Sequence, residues 1–289
     1  MNHYLLITFD SCRYDSWAAA RPRVMARLGP VERRYSYASW TAPSHYNLLM
    51  GLMPHHSPKH VNASQYYGRE LLKFNERLDA RGTIQFKSFV PKLYLPSFLS
   101  GRLGYHTHAR VSLPVLNPHT ILNTGFESYK LMETHNDLRA MIRELTFPDD
   151  RPSFYFLNVG ETHYPYALPH EPPNTWPRLR GVHGVLEHLD DVVTGDAGAG
   201  EDDEDAEAED ERPQPFDEAR LALLRERQVE AVRYLDGVME ELFDVVPSNT
   251  YITITADHGE LFGEDGYFGH GPIQHPKVLE VPFVEGKLR

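Results

Sequence analysis

Asp257 and His258 stand directly after Tyr251-Ile252-Thr253-Ile254-Thr255-Ala256, an uncharged run of alternating β-branched residues that reads as a buried strand. Gly259 follows and lets the chain turn. An Asp beside a His offers a hard oxygen and an imidazole nitrogen, a ligand pair suited to a divalent transition metal. Taken alone, the same pair also fits an N-cap Asp with a surface His. Asp10 repeats the arrangement after the apolar run Tyr4 to Phe9, and Gly160-Glu161-Thr162-His163 repeats it after Phe154 to Val159. In an open α/β sheet the C-terminal strand ends are where ligands and catalytic groups gather. Thr41 opens Thr41-Ala42-Pro43-Ser44-His45, ahead of an apolar helical face from Tyr46 to Leu52, and is predicted to be the N-cap, with Pro43 in the first turn. An N-cap hydroxyl is normally structural, contributing about 1 kcal/mol. The same place lowers the cost of negative charge, so the Thr41 oxygen also suits a metal-bound alkoxide nucleophile.

The elements that position these residues alternate along the chain. Strands are predicted at Tyr4–Phe9, Val111–Leu116, Phe154–Val159, Tyr251–Ala256 and, at an edge, Val278–Val284, with Tyr35–Trp40 extended. Helices are predicted from Ser16 to near Gly29-Pro30, over 68–81, from Leu95 to Leu103 ahead of Gly104, and from Asp137 to Leu145. A long helix from Phe216 to Phe243 carries Leu221, Leu224, Val229, Val232, Leu235, Val238 and Leu242 on its buried side. This alternation predicts one doubly wound α/β domain over 1–289, its sheet mostly parallel and flanked by helices. No internal repeat is present.

Composition narrows the setting. The formal charge of the 289 residues is −12, and residues 196–212 hold ten Asp or Glu against one Arg, which accounts for −9 of it. That stretch, within an acidic insert at about 190–215, has too little apolar area to offset its ordering entropy and is expected to be a mobile surface segment. The rest is mildly acidic, and no basic stripe points to nucleic acid. No apolar run approaches the ~20 residues of a membrane span. The first strand begins too early to leave room for a signal peptide. A single cysteine, Cys12, fits a reducing compartment, so a cytoplasmic setting is expected.

Assembled in order, Asp10, Thr41 and Asp257-His258 resemble the alkaline phosphatase superfamily on its sulfatase-like branch. The late block is the most specific part: Thr255 to Gly266, then Gly269-His270-Gly271, then Val281-Pro282-Phe283. Met50-Gly51-Leu52-Met53-Pro54-His55 and Tyr234-Leu235-Asp236 are also similar to that family. Two departures separate this chain from the sulfatases. Their signature is Cys or Ser, any residue, Pro-Ser-Arg, with the first residue oxidised to formylglycine; here Thr41 cannot form that aldehyde and His45 replaces the arginine. Their Gly-Lys-Trp-His should follow Gly104-Tyr105-His106-Thr107, where Val111-Ser112-Leu113-Pro114 stands instead. A Thr nucleophile is similar to the phosphodiesterase and phosphoglycerol- or phosphoethanolamine-transferase members.

The resemblance implies an alkaline-phosphatase-like core without the sulfatases' smaller C-terminal subdomain. It implies Asp10, Thr41, Asp257 and His258 as ligands of one divalent metal, with Zn or Mn suiting the mixed ligation better than Mg or Ca. A second ion, drawing on Glu161, His163 and His270, is not favoured, because the spacing differs from that of two-metal relatives. His163, in His163-Tyr164-Pro165-Tyr166, and His270 are implied to hold non-bridging oxygens or protonate the leaving group, and His45 to bind substrate likewise. The implied activity is hydrolysis of a phosphodiester, phosphomonoester or phosphonate ester, small or conjugated, through a covalent phospho-threonine. Transfer of a phospho-alcohol group to an acceptor alcohol is the alternative. A sulfatase or a non-catalytic metal-binding protein stands behind both.

Overall fold

The computed structural model describes residues 2–56, 93–179, 182, 217–271 and 273–288. The helix expected over 68–81 and the acidic run at 196–212 lie outside these residues.

A mixed seven-stranded sheet forms the centre. In chain order its strands are β1 (His3–Phe9), β2 (Glu32–Tyr35), β3 (His106–Val111), β4 (Ser128–Leu131), β5 (Ser153–Val159), β6 (Thr250–Ala256) and, after a small hairpin, β9 (Glu280–Lys287). The hairpin is β7 (Leu261–Phe262) with β8 (Phe268–Gly269). Across the sheet the order is β2-β9-β6-β1-β5-β3-β4. Every pairing from β6 to β4 is parallel, while β9 runs antiparallel to both neighbours. The strands β1 and β5 are buried nearly throughout, as expected where helices cover both faces.

The helices are α1 (Tyr14–Ala20), α2 (Thr41–Leu49), α3 (Leu95–Leu103), α4 (Leu138–Arg143), α5 (Glu218–Val245) and α6 (Pro276–Leu279). Alternate residues of β1 choose the faces. Leu5, Ile7 and Phe9 pack with Trp17, Met141 and the α5 stripe of Val232, Leu235, Val238 and Leu242. Leu6 packs the other way, with Leu49, Tyr94 and Leu99. All seven apolar α5 positions expected on the inner side are buried.

Four expectations are corrected. The strand expected at Val111–Leu116 lies earlier, as β3, because the prolines that bound the apolar run start a single 3-10 turn at Pro114–Leu116. The last strand starts at Glu280 and is not at the edge; β2, too short and polar to stand out by pattern, covers it. That edge strand ends at Tyr35, where the extended segment had been expected to begin. Thr41 is the first helical residue rather than the cap: Trp40 is the extended N-cap and makes no side-chain cap bond.

Candidate active site

Three neighbouring strands deliver the site. In the parallel ladder Phe9 is level with both Val159 and Ala256, so Asp10, the Gly160-Glu161-Thr162-His163 turn and Asp257 leave the sheet along one edge. The α2 N-terminus brings Thr41 to the same place, its Oγ1 3.3 Å from His258 Nε2. Gly259 is needed for close approach: its N–H donates to the Val278 carbonyl at 2.6 Å, and a Cβ there would run into the Lys277 carbonyl.

Asp257 is held by one oxygen only. Oδ1 accepts the backbone N–H of Ser11 at 3.0 Å and of His258 at 2.9 Å. Oδ2 is buried and has no hydrogen-bond partner. His258 Nδ1 donates to the Gly259 carbonyl at 2.8 Å, which leaves the ring's lone pair on Nε2, 3.2 Å from that same Oδ2. Asp10 is buried beside them; its Oδ2 accepts from Asn158 Nδ2 at 3.0 Å and its Oδ1 from Ser11 Oγ at 3.2 Å. One ligand atom each from Asp10, His45 and Asp257 lie within 4.8 Å of one another.

Electrostatics point the same way. Burial, then the nearby Asp10 charge, pushes the Asp257 carboxyl well above its usual range. Burial, then His270, pushes His258 well below the ordinary imidazole value. Two buried carboxylates, an unpartnered carboxylate oxygen and a lone pair aimed at it are costly together without a cation. The donor set of two carboxylates, one hydroxyl and one imidazole therefore fits a divalent cation.

His163 and His270 flank this cluster. The His270 ring lies 4.2 Å from that of His258 and 6.0 Å from that of His163, centroid to centroid. Burial works against charge on His270, but its 3.2 Å bond to Glu260 and the charges of Glu260 and Asp10 outweigh it and raise its pKa. Glu260 is itself oriented by the Tyr166 hydroxyl. His163 Nδ1 donates to the Tyr164 carbonyl at 2.8 Å. His45 belongs to the cluster as well, its Nδ1 3.6 Å from Asp257 Oδ2. It is fully buried, donates from Nδ1 to the Thr41 carbonyl at 2.7 Å, and receives Thr8 Oγ1 and Asn158 Nδ2 on Nε2, each at 3.3 Å. It packs edge-on to Phe156 at the base of the cluster, and burial lowers its pKa.

Three supporting residues escaped the sequence reading. Gln228, wholly buried on α5, donates to the carbonyls of Ser11 at 2.9 Å and Thr162 at 3.1 Å and accepts from the Arg13 N–H at 3.4 Å. It thereby ties two of the three strand-end turns, while Thr162 Oγ1 donates to the Asp10 carbonyl at 2.7 Å. Arg13 grips Asp15 with two bonds, reaches Glu264 at 2.7 Å and lies against the Phe262 ring, joining the first turn to the β7 hairpin. Asn158 links His45 to Asp10. The available signals were a Gln inside the apolar α5 stripe and an Asn interrupting the apolar run of β5.

No protein-family model matches the sequence, and no curated protein matches it. Solved structures do. The C-terminal periplasmic domain of EptC from Escherichia coli, in complex with Zn, superposes with a TM-score of 0.57 at 12% identity, covering 100% of this chain and 73% of that one. The phosphonate monoester hydrolase of Agrobacterium radiobacter gives 0.53 at 17% identity, over 99% of this chain and 68% of that one. A 2-O GAG sulfatase, BT1596, gives 0.52 at 12% identity, over 100% and 65%. The fold is the alkaline-phosphatase-like one of these domains, a mostly parallel sheet flanked by helices.

Proposed function

We propose that this protein cleaves phosphate or phosphonate esters with Thr41 as nucleophile. The observation that carries the reading is the meeting of Thr41 Oγ1, His258 Nε2 and the unpartnered Asp257 Oδ2 at the N-terminus of α2. Asp10, Thr41, Asp257 and His258 would hold one divalent ion. When bound, such an ion lowers the pKa of a hydroxyl and offsets the charge of an anionic phosphorus centre.

The chain's own groups do the rest. The α2 N-terminus favours negative charge on the Thr41 oxygen. That oxygen, its proton lost to solvent, forms a bond to phosphorus as the bond to the leaving alcohol breaks, and the alcohol takes a proton from His270. His270 suits this because Glu260 keeps it protonated to higher pH. His163, with Nδ1 committed to a carbonyl, offers Nε2 to a non-bridging oxygen when that nitrogen carries a proton. Water then attacks phosphorus, breaks the bond to Thr41 and restores the hydroxyl.

EptC and the Neisseria meningitidis lipooligosaccharide phosphoethanolamine transferase A, also of this fold, favour a second reading in which an acceptor alcohol replaces that water. Thr41 and His45 in the nucleophile pentapeptide speak against sulfate ester cleavage. A reducing compartment remains our proposal for location, on the single and buried Cys12. The test is a panel of phosphomonoesters, diesters, phosphonate esters and sulfate esters, run with and without an added alcohol. Acid quench followed by mass spectrometry reads phosphate on Thr41. Turnover of sulfate esters alone would sink the proposal.

A further inference from the structure

A second constellation lies at the opposite edge of the sheet, at the N-terminal ends of its parallel strands. His106 and His108 are two residues apart on β3, so their rings leave the same face; the centroids are 6.1 Å apart and the planes 22° from parallel. The β3–β4 ladder sets Ser128 level with His108, and the Glu127 N–H donates to the Thr107 carbonyl at 2.8 Å. Glu127 is thereby fixed alongside the two histidines. One ligand atom each from His106, His108 and Glu127 lie within 4.8 Å of one another. Asp150, from the turn before β5, faces the other side of the His106 ring, 3.3 Å from Nε2.

We propose that His106, His108 and Glu127 form a second divalent-metal site, with Asp150 orienting His106 and Arg151 marking the place of the ion. With the His106 proton on Nε2 and donated to Asp150, the Nδ1 lone pair faces Glu127 Oε2 at 2.8 Å. A ring protonated on both nitrogens satisfies both carboxylates; with Nδ1 unprotonated, as metal ligation needs, a positive group must stand beside its lone pair. Arg151 supplies it: Nη2 lies 2.6 Å from His106 Nδ1 and 3.4 Å from Glu127 Oε1. A ligating histidine whose second nitrogen donates to a carboxylate is the usual arrangement around a bound metal. Arg151 is a long side chain, 42% exposed, and gives way to solvent at little cost.

Two imidazoles and a carboxylate select a late first-row ion such as zinc over magnesium or calcium. Metal bonds of about 2.0–2.2 Å in a tetrahedral shell set donor atoms roughly 3.4 Å apart, so the 2.8 Å His106–Glu127 pair opens slightly while the third donor, within 4.8 Å, moves in. The site is built from β3, the entry to β4 and the turn before β5, and shares no residue with the Asp10–Asp257 cluster. A bound ion would pin these three segments together. The inference is independent of the reading of Thr41.

Zinc binding to the full chain tests it. Protein stripped with a chelator is dialysed against micromolar zinc, and bound metal is read by elemental analysis beside a thermal melt. The wild type is expected to hold two equivalents and the His106→Ala/His108→Ala variant one, with phosphoester turnover unchanged. Asp257→Ala/His258→Ala should keep the equivalent that the first variant loses. Because His108 packs on Tyr155, Glu127→Gln serves as a gentler second variant and should weaken one equivalent about tenfold or more. Arg151→Ala should tighten that equivalent by removing the competing cation. Two equivalents surviving in His106→Ala/His108→Ala would overturn the proposal. So would complete loss of zinc in Asp257→Ala/His258→Ala, or weaker binding in Arg151→Ala.

Discussion

Asp257 Oδ2 and His258 Nε2 lie 3.2 Å apart, buried, each turned toward the other by a hydrogen bond made at its opposite end. Neighbouring residues on one turn thus present two electron pairs to a single point. Asp10 reaches that point because β1 and β6 are adjacent and in parallel register, and the α2 N-terminus brings Thr41 to it.

Replacing Asp257 or His258 by Ala should remove the ion bound there while leaving the fold intact, since both side chains lie beyond the strand rather than in the sheet core. Elemental analysis beside a circular dichroism spectrum is the check. Full occupancy of that equivalent in both variants would refute the assignment.

For Thr41, the two readings separate on rate and stability. As nucleophile, Thr41→Ala abolishes turnover and only weakens metal binding, because Asp10, Asp257 and His258 remain. Thr41→Ser keeps measurable activity, the hydroxyl surviving. Since Thr41 makes no cap bond, Thr41→Ala should cost less than the roughly 1 kcal/mol typical of a lost N-cap. Wild-type turnover in Thr41→Ala would leave water as the attacking group.

Gln228→Leu should destabilise by about 2–3 kcal/mol, because the Ser11 and Thr162 carbonyls lose a buried donor that water cannot replace. Urea unfolding measures this. Zinc affinity at the Asp10–Asp257 cluster should fall too, as Gln228 holds the turn after Asp10. Unchanged stability and affinity would show that Gln228 merely fills space.

Glu161 makes a pH prediction. Burial raises its pKa to about 7, and only Oε1 has a partner, the Leu138 N–H at 2.8 Å; Oε2 has none. A carboxyl whose folded pKa lies above its unfolded one keeps its full contribution below the unfolded value near 4.3 and loses it as pH rises toward the folded one. Its share of stability should therefore decline between about pH 4.3 and 7, by an amount on the order of 3 kcal/mol. Glu161→Gln keeps the bond to Leu138 and removes the charge. It should be more stable than wild type at pH 8 and close to it at pH 4.5, by urea unfolding. A variant that tracks the wild type across this range would mean that Glu161 is solvated.

The local chain determined a good deal. Apolar runs followed at once by a carboxylate located Asp10 and Asp257 at strand ends, and the 3.6-residue stripe located the buried face of α5. These features are legible because alternation and helical periodicity depend on near neighbours in the chain. Short polar strands such as β2 and β4 carry no such signal; the sheet that accepts them makes them strands. The site shows the same division. Residue types named Thr41, Asp257 and His258, but register alone decides that Asp10 and Asp257, 247 positions apart, share one edge. Only packing put His45 at the base of the cluster, where the closeness of α2 to the floor of the sheet leaves it no solvent. Gln228, Asn158 and Arg13 are ordinary polar residues until folding brings unpaired carbonyls, an Asp or an acidic loop within hydrogen-bond distance. Such long-range satisfaction of buried polar groups is a property of the assembled tertiary structure, since no local pattern states which distant group will need a partner.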